Sequence, residues 1–235
     1  LMTHLVQTKN GNVVTAVPWD ISITISDNQA TPIHIKRIHT MKLTNIAISE
    51  NFYVSGSMDC NVIIWKLNPK IPQVPKSIIS KNKSYIKCLE INEQADLCVS
   101  CSKSGEIVTA SLFKGMFLRK ILTDYGIPSN VTVFNSGNIC ISFIQNEKFL
   151  IVVYDQNLNQ ITMRSFETEV RCWCNIESPT GNEYLFVSLK NSEFAILKVS
   201  DLSEVWKFEC DVIVTRLTII QEPLSIIIGT IDGKV

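Results

Sequence analysis

The residues whose type and spacing could do chemistry are His39, Ser55 and Asp59, and the cysteines at 98, 101, 172 and 174. A Ser, a His and an Asp could act as nucleophile, base and orienting acid, but only if the Ser lies exposed beside an oxyanion hole. Cys98-Val99-Ser100-Cys101 has the spacing of half a zinc site. Both ideas depend on the elements that carry these side chains. Cys98 and Cys101 sit in an apolar run that reads as a strand, where residues three apart point to opposite faces, so their thiolates diverge. Cys172 and Cys174 share a strand face, yet no second Cys or His pair lies nearby in sequence. Most of the eight cysteines fall inside alternating apolar runs, where a free thiol packs as a small apolar group. Reduced thiols, a cytoplasmic location and the absence of any metal or cofactor are the expectations.

The elements beneath these residues are strands. The chain has 235 residues, 46% hydrophobic and 19% charged, enough apolar content for a substantial core. Its formal net charge is +0, so no global field draws in nucleic acid, and no nucleic-acid partner is expected. The longest apolar stretches, such as 149–154, are strand-sized, far short of the ~20 residues that a spanning helix needs. Short β-branched and aromatic runs recur between small polar turns, at Trp19-Asp20, Met58-Asp59, Lys103-Ser104, Gln145-Asn146, Lys190-Asn191 and Ile231-Asp232. Counted on the second residue, these turns are 39, 45, 42, 45 and 41 residues apart. A period of ~40–45 residues with about four strands per unit is the pattern of a propeller blade. The expected fold is an all-β propeller of about five and a half four-stranded blades, with approximate bounds 1–38, 39–80, 81–122, 123–166, 167–209 and a partial 210–235. A closed ring of seven, cut at both ends, is the expected parent, because closure removes exposed strand edges.

One unit reads as a WD repeat. His39 precedes 43–49, and Ser55-Gly56-Ser57-Met58-Asp59 leads to Trp65. By resemblance to WD repeats, His39, Ser55, Asp59 and Trp65 form a buried hydrogen-bonded tetrad with a structural role. Other units put Ser104, Asn146 or Asn191 where the turn Asp belongs, residues that still favour tight turns. The order of motifs also resembles the carboxyl-terminal propeller of BEACH-domain proteins, the neurobeachin and lysosomal-trafficking-regulator group. The matching stretches are Trp19-Asp20-Ile21-Ser22 twenty residues ahead of His39, 88–91 with 99–105 and 114–119, 136–139 onward to Tyr154, and 199–202. That resemblance implies a non-catalytic scaffold in vesicle and membrane traffic, working in the cytoplasm and peripherally at endomembranes. Its partners would be other proteins, including the BEACH domain of its own parent chain.

Binding surfaces follow from the same comparison. In WD-repeat propellers the residue before each turn Asp commonly faces partners, which selects Trp19, Met58, Lys103, Gln145, Lys190 and Ile231. A second candidate is the Pro-interrupted stretch with Lys66, Lys70, Lys76, Lys81 and Lys83, read as a basic loop leading into a fourth strand and able to meet anionic lipid or an acidic partner. Ser57-Met58-Asp59 is similar to the sialidase Asp-box, but Asn61 and Ile63 stand where Gly and Thr belong and Trp65 falls one position late. No enzymatic activity is expected. The alternatives are a WD-repeat adaptor of another complex, such as a ubiquitin-ligase receptor or coat subunit, and direct binding of anionic lipid.

Overall fold

The computed structural model describes residues 4–7, 13–17, 22–26, 29, 32–67, 74–178, 180–190, 192–209, 213–221 and 224–230. Every regular element among them is a strand. The chain divides into two compact units, Leu1–Gly137 and Asn138–Val235.

The first unit holds three four-stranded antiparallel sheets, each paired in chain order. The first is β1 (His4–Gln7), β2 (Val13–Val17), β3 (Ser22–Ser26) and β4 (Pro32–Lys36). The second is β5 (Leu43–Ile48), β6 (Phe52–Ser57), β7 (Val62–Lys66) and β8 (Pro75–Ile79). The third is β9 (Ile86–Asn92), β10 (Leu97–Ser102), β11 (Glu106–Ser111) and β12 (Met116–Leu122). A further strand, β13 (Ile127–Val133), lies beside β9, where Asn92 Nδ2 donates to the Val133 carbonyl at 3.1 Å.

The second sheet is apolar on both faces, and each face has its own partner. Tyr53, Ile63 and Trp65 pack with Ile23 and Ile25 of the first sheet. Phe52, Val54, Val62 and Ile64 pack with Ile86, Leu89, Cys98, Val108 and Ala110 of the third. Strands β6, β10 and β11 are therefore buried along their whole length, and the expected alternation of buried and exposed side chains is absent from them. Period-2 alternation leaves one face wet only when nothing covers it, and here both faces are covered. Gly56 on β6 permits the close approach, since a Cβ there would stand 2.8 Å from Ile86 Cγ2.

The second unit opens on β14 (Ile139–Gln145), β15 (Lys148–Tyr154) and β16 (Gln160–Phe166), paired in order. Asn146 and Glu147 join β14 to β15 as a two-residue loop with φ of 48° and 64°, the left-handed geometry that matches strand twist. A four-stranded sheet follows, β17 (Val170–Glu177), β18 (Glu183–Leu189), β19 (Glu193–Lys198) and β20 (Glu204–Glu209), then the pair β21 (Val214–Gln221) and β22 (Leu224–Thr230). Cys172, Cys174, Phe186, Phe194 and Val214 form the core there, with Phe194 and Phe208 stacked at 4.8 Å. Four-stranded antiparallel meanders packed face to face are how propeller blades are built.

Candidate functional site

The structure brings His39, Ser55, Asp59 and Trp65 together where the first and second sheets pack. His39 enters from the connection ahead of β5, Ser55 lies on β6, Asp59 in the turn after it and Trp65 on β7. Trp65 Nε1 donates to Ser55 Oγ at 3.2 Å, and Ser55 Oγ lies 2.8 Å from His39 Nε2. His39 Nδ1 lies 2.9 Å from Asp59 Oδ2. The indole can only donate, so the Ser hydroxyl is left to donate to Nε2, and the imidazole is neutral with its proton on Nδ1 toward the carboxylate. Burial holds the His39 pKa below its ordinary 6.5 despite the neighbouring Asp59. Burial also pushes the Asp59 carboxyl up, but the Asn61 and Thr40 amides at 2.9 and 3.0 Å, together with His39, outweigh it and hold the net pKa below 3.8. Tyr53 stacks on Trp65 with ring centroids 5.4 Å apart.

This order of Asp, His and Ser matches a hydrolase triad, but its surroundings do not. Ser55 is 0% exposed, so no substrate carbonyl can reach its Oγ. The hydroxyl serves as a relay of hydrogen bonds between Trp65 and His39, tying the turn, the connection and two strands into one rigid corner.

The third sheet builds the same corner from different residues, which the sequence reading missed. Ser100 stands where Ser55 does, and buried Asn82 donates from Nδ2 to its Oγ at 3.3 Å. Asn82 thus belongs to the core. Ala110 occupies the Trp65 position. The carboxylate comes from Glu106 at the start of β11, two residues beyond the turn position Ser104. Its Oε2 accepts from Lys83 N at 2.7 Å, Ser102 Oγ at 3.1 Å and Ser104 Oγ at 3.2 Å, while Lys120 Nζ pairs with Oε1. Burial raises the Glu106 pKa, but these donors outweigh it and the net shift is downward. The textual signal was a carboxylate opening the apolar run 106–112.

Of the six turn residues, Trp19 and Ile231 lie outside the described residues. Met58, Lys103 and Lys190 share one placement within their own sheets. Each donates its backbone N–H to the carbonyl of the residue immediately before the first strand of its sheet, namely Lys42, Tyr85 and Glu169, at 2.9, 3.0 and 2.8 Å. Met58 is half-buried, while Lys103, Gln145 and Lys190 are exposed. Lys190 Nζ lies 3.6 Å from Glu169 Oε2, beside a cleft that Glu147, Phe149 and Glu167 also line.

The lysines of the basic stretch do not form one lip. Lys70 lies outside the described residues. Lys66 ends β7 and Lys76 lies on β8, whereas Lys81 and Lys83 follow β8, at the opposite end of the sheet. The physical reason is that β8 crosses the whole sheet between them, about 3.3 Å per residue. Lys66 instead borders a cleft with Asn51, Phe52, Leu67 and Phe113.

Cys98 and Cys101 lie on β10, and the cross-strand neighbour of Cys101 is Cys88 on β9. Burial pushes the Cys98 thiol up to about 12, and the hydrogen bond with Cys88, with burial, raises that of Cys101. Among the described residues, no three His, Cys, Asp or Glu side chains stand close enough to share a metal ion.

Comparisons with known proteins bear on this arrangement. No family profile matches the chain. It is 26% identical over 116 residues to the BEACH domain-containing protein lvsD of Dictyostelium discoideum, a match covering 48% of this chain and only 4% of that protein. Among solved structures, the computationally designed protein Ika8 superposes with a TM-score of 0.78 at 16% identity, over 99% of this chain and 69% of that one. A chain of the mitotic checkpoint complex superposes with a TM-score of 0.79 at 10% identity, over 99% and 72%. At such identities the likeness speaks to fold alone, and the fold is that of a WD-repeat β-propeller.

Proposed function

We propose that this chain is a non-catalytic platform for protein–protein interaction within a BEACH-type protein of membrane traffic, acting in the cytoplasm at the surface of endomembranes. Its sheets serve as blades, with bounds near 38, 80, 122, 166 and 209. The observation that carries the reading is the repeated corner. His39-Ser55-Asp59-Trp65 and its counterpart Asn82-Ser100-Glu106 bury polar groups to hold turns rigid, which suits a surface that must keep its shape for partners. Relatedness to one BEACH domain-containing protein supports the choice of family.

Affinity capture with the chain as bait, compared between wild type and Met58→Asp, tests the platform. The expected result is loss of a defined set of captured proteins, enriched in components of vesicle traffic, at unchanged thermal stability. Identical captures by both baits would refute the proposed face. A set devoid of trafficking proteins would refute the pathway.

A further inference from the structure

We propose that the end of the second and third sheets carrying Met58 and Lys103 is a docking surface for an acidic peptide segment of a partner protein. The inference rests on the platform reading and names the chemistry of its partner.

At this end β5, β7, β9 and β11 begin while β6, β8, β10 and β12 finish, and five connections meet there, residues 37–42, 58–61, 80–85, 103–105 and 123–126. Their charges are sorted by burial. Asp59 and Glu106, whose carboxylates hold the two corners, have side chains only 5% and 4% exposed and face inward onto amides, hydroxyls, His39 and Lys120. The connections carry Arg37, Lys42, Lys81, Lys83 and Lys103 as exposed cations, against Asp124 as the exposed carboxylate among their described residues. The whole chain has a net charge of +0, so this surplus is a local segregation.

One of these ammonium groups is also held over a ring face, since Lys103 Nζ lies 5.4 Å from the Tyr85 ring centroid. A ring face positions a cation and leaves its charge available to an incoming carboxylate. Met41, 48% exposed, and the half-buried Met58 offer soft, adaptable contacts to the apolar parts of a peptide. Ile38, Met41, Leu122 and Ile127 are exposed at this end among polar and basic turn residues, and the excess of exposed cations there is complementary to an acidic peptide.

The test is fluorescence anisotropy of a labelled deca-glutamate peptide titrated with the chain. The expected result is binding that weakens about tenfold between about 20 mM and about 200 mM salt. Lys83→Glu with Lys103→Glu should weaken it by about a further tenfold, as expected for opposing charges brought into contact. Lys66→Glu, at the other end of the second sheet, should change nothing, and Lys103→Arg should preserve binding. Thermal unfolding of each variant confirms the fold, and Lys103→Glu alone replaces the pair if that fails to fold. Absence of binding, or equal loss in Lys66→Glu, overturns the proposal. So does flotation with phosphatidylserine-containing vesicles that deca-glutamate cannot compete away. If Met58→Asp abolishes partner capture but deca-glutamate does not bind, the platform stands and the acidic partner falls. If deca-glutamate binds but capture is insensitive to Met58→Asp, Met58 falls as the contact for captured partners and the acidic docking surface stands.

Discussion

Ser55 Oγ is the atom through which the first corner is connected, accepting from Trp65 and meeting His39. Ser55→Ala strands a buried indole N–H and an imidazole nitrogen together, so a loss of about 1–3 kcal/mol in urea unfolding is expected. Trp65→Phe keeps the stack on Tyr53 and removes one donor from a hydroxyl that still reaches His39, so it should cost less. Equal losses would mean that packing, and not the relay, sets the cost. At the second corner Glu106→Ala strands the Lys83 amide and two hydroxyls and leaves Lys120 beside an emptied site, an expected loss of about 3 kcal/mol. Ser104→Ala, at the position where the motif places its carboxylate, removes one donor of several and should cost under about 1 kcal/mol. The reverse ranking would return the role to the turn residue.

At the scale of elements, the sheets set how close their neighbours come. Gly56 on β6 faces Ile86 on β9, and an added Cβ would fall within 2.8 Å of its methyl carbon. Gly56→Ala should therefore destabilise the chain by about 1–3 kcal/mol, by overpacking and not through turn geometry. Gly56→Ala should cost less in an Ile86→Ala background than in the wild type, because Ile86→Ala removes the Cγ2 carbon nearest the clash. Simple additivity of the two substitutions would contradict the contact. The basic stretch gives the same lesson in reverse, since Lys66 and Lys76 are separated from Lys81 and Lys83 by the length of a strand. Lys83 instead comes near the turn of Lys103, because the Lys83 amide and the Ser104 hydroxyl both donate to Glu106 Oε2.

At the scale of the molecule, the buried titratable groups make stability depend on pH in two opposed ways. His39 keeps its neutral form when folded, with a pKa below 6.5, so the unfolded chain binds the extra proton and stability falls as pH drops below about 6.5. Asp59 and Glu106, held below 3.8 and 4.5, add stability that is present above those values and lost as pH falls through their lowered pKa values. Glu90 acts oppositely. Burial pushes its carboxyl from 4.5 up to about 7, so the folded chain holds the proton and stability falls as pH rises from 4.5 through about 7. Glu90→Gln should accordingly raise the Tm relative to wild type at about pH 8 and leave the two nearly equal at about pH 4. A Tm difference constant across that range would show that Glu90 titrates as an ordinary surface carboxylate.

The amino-acid sequence by itself determined the strand-and-turn repeat and the all-β class. Both are local, since turn chemistry and strand propensity act over a few residues. What the tertiary structure alone decided is non-local. Both faces of β6 are buried because the first and third sheets cover them, and no pattern within a single strand states how many neighbours it has. Glu106 replaces a turn carboxylate because a longer side chain on the next strand reaches the Lys83 amide, the counterpart of the Thr40 amide that Asp59 accepts from, an equivalence of positions in space that the aligned letters do not carry. The sorting of charge at one end, with carboxylates inward and ammonium groups outward, depends likewise on which groups find donors in the folded chain, because burying an unpaired charge costs far more than leaving it in water.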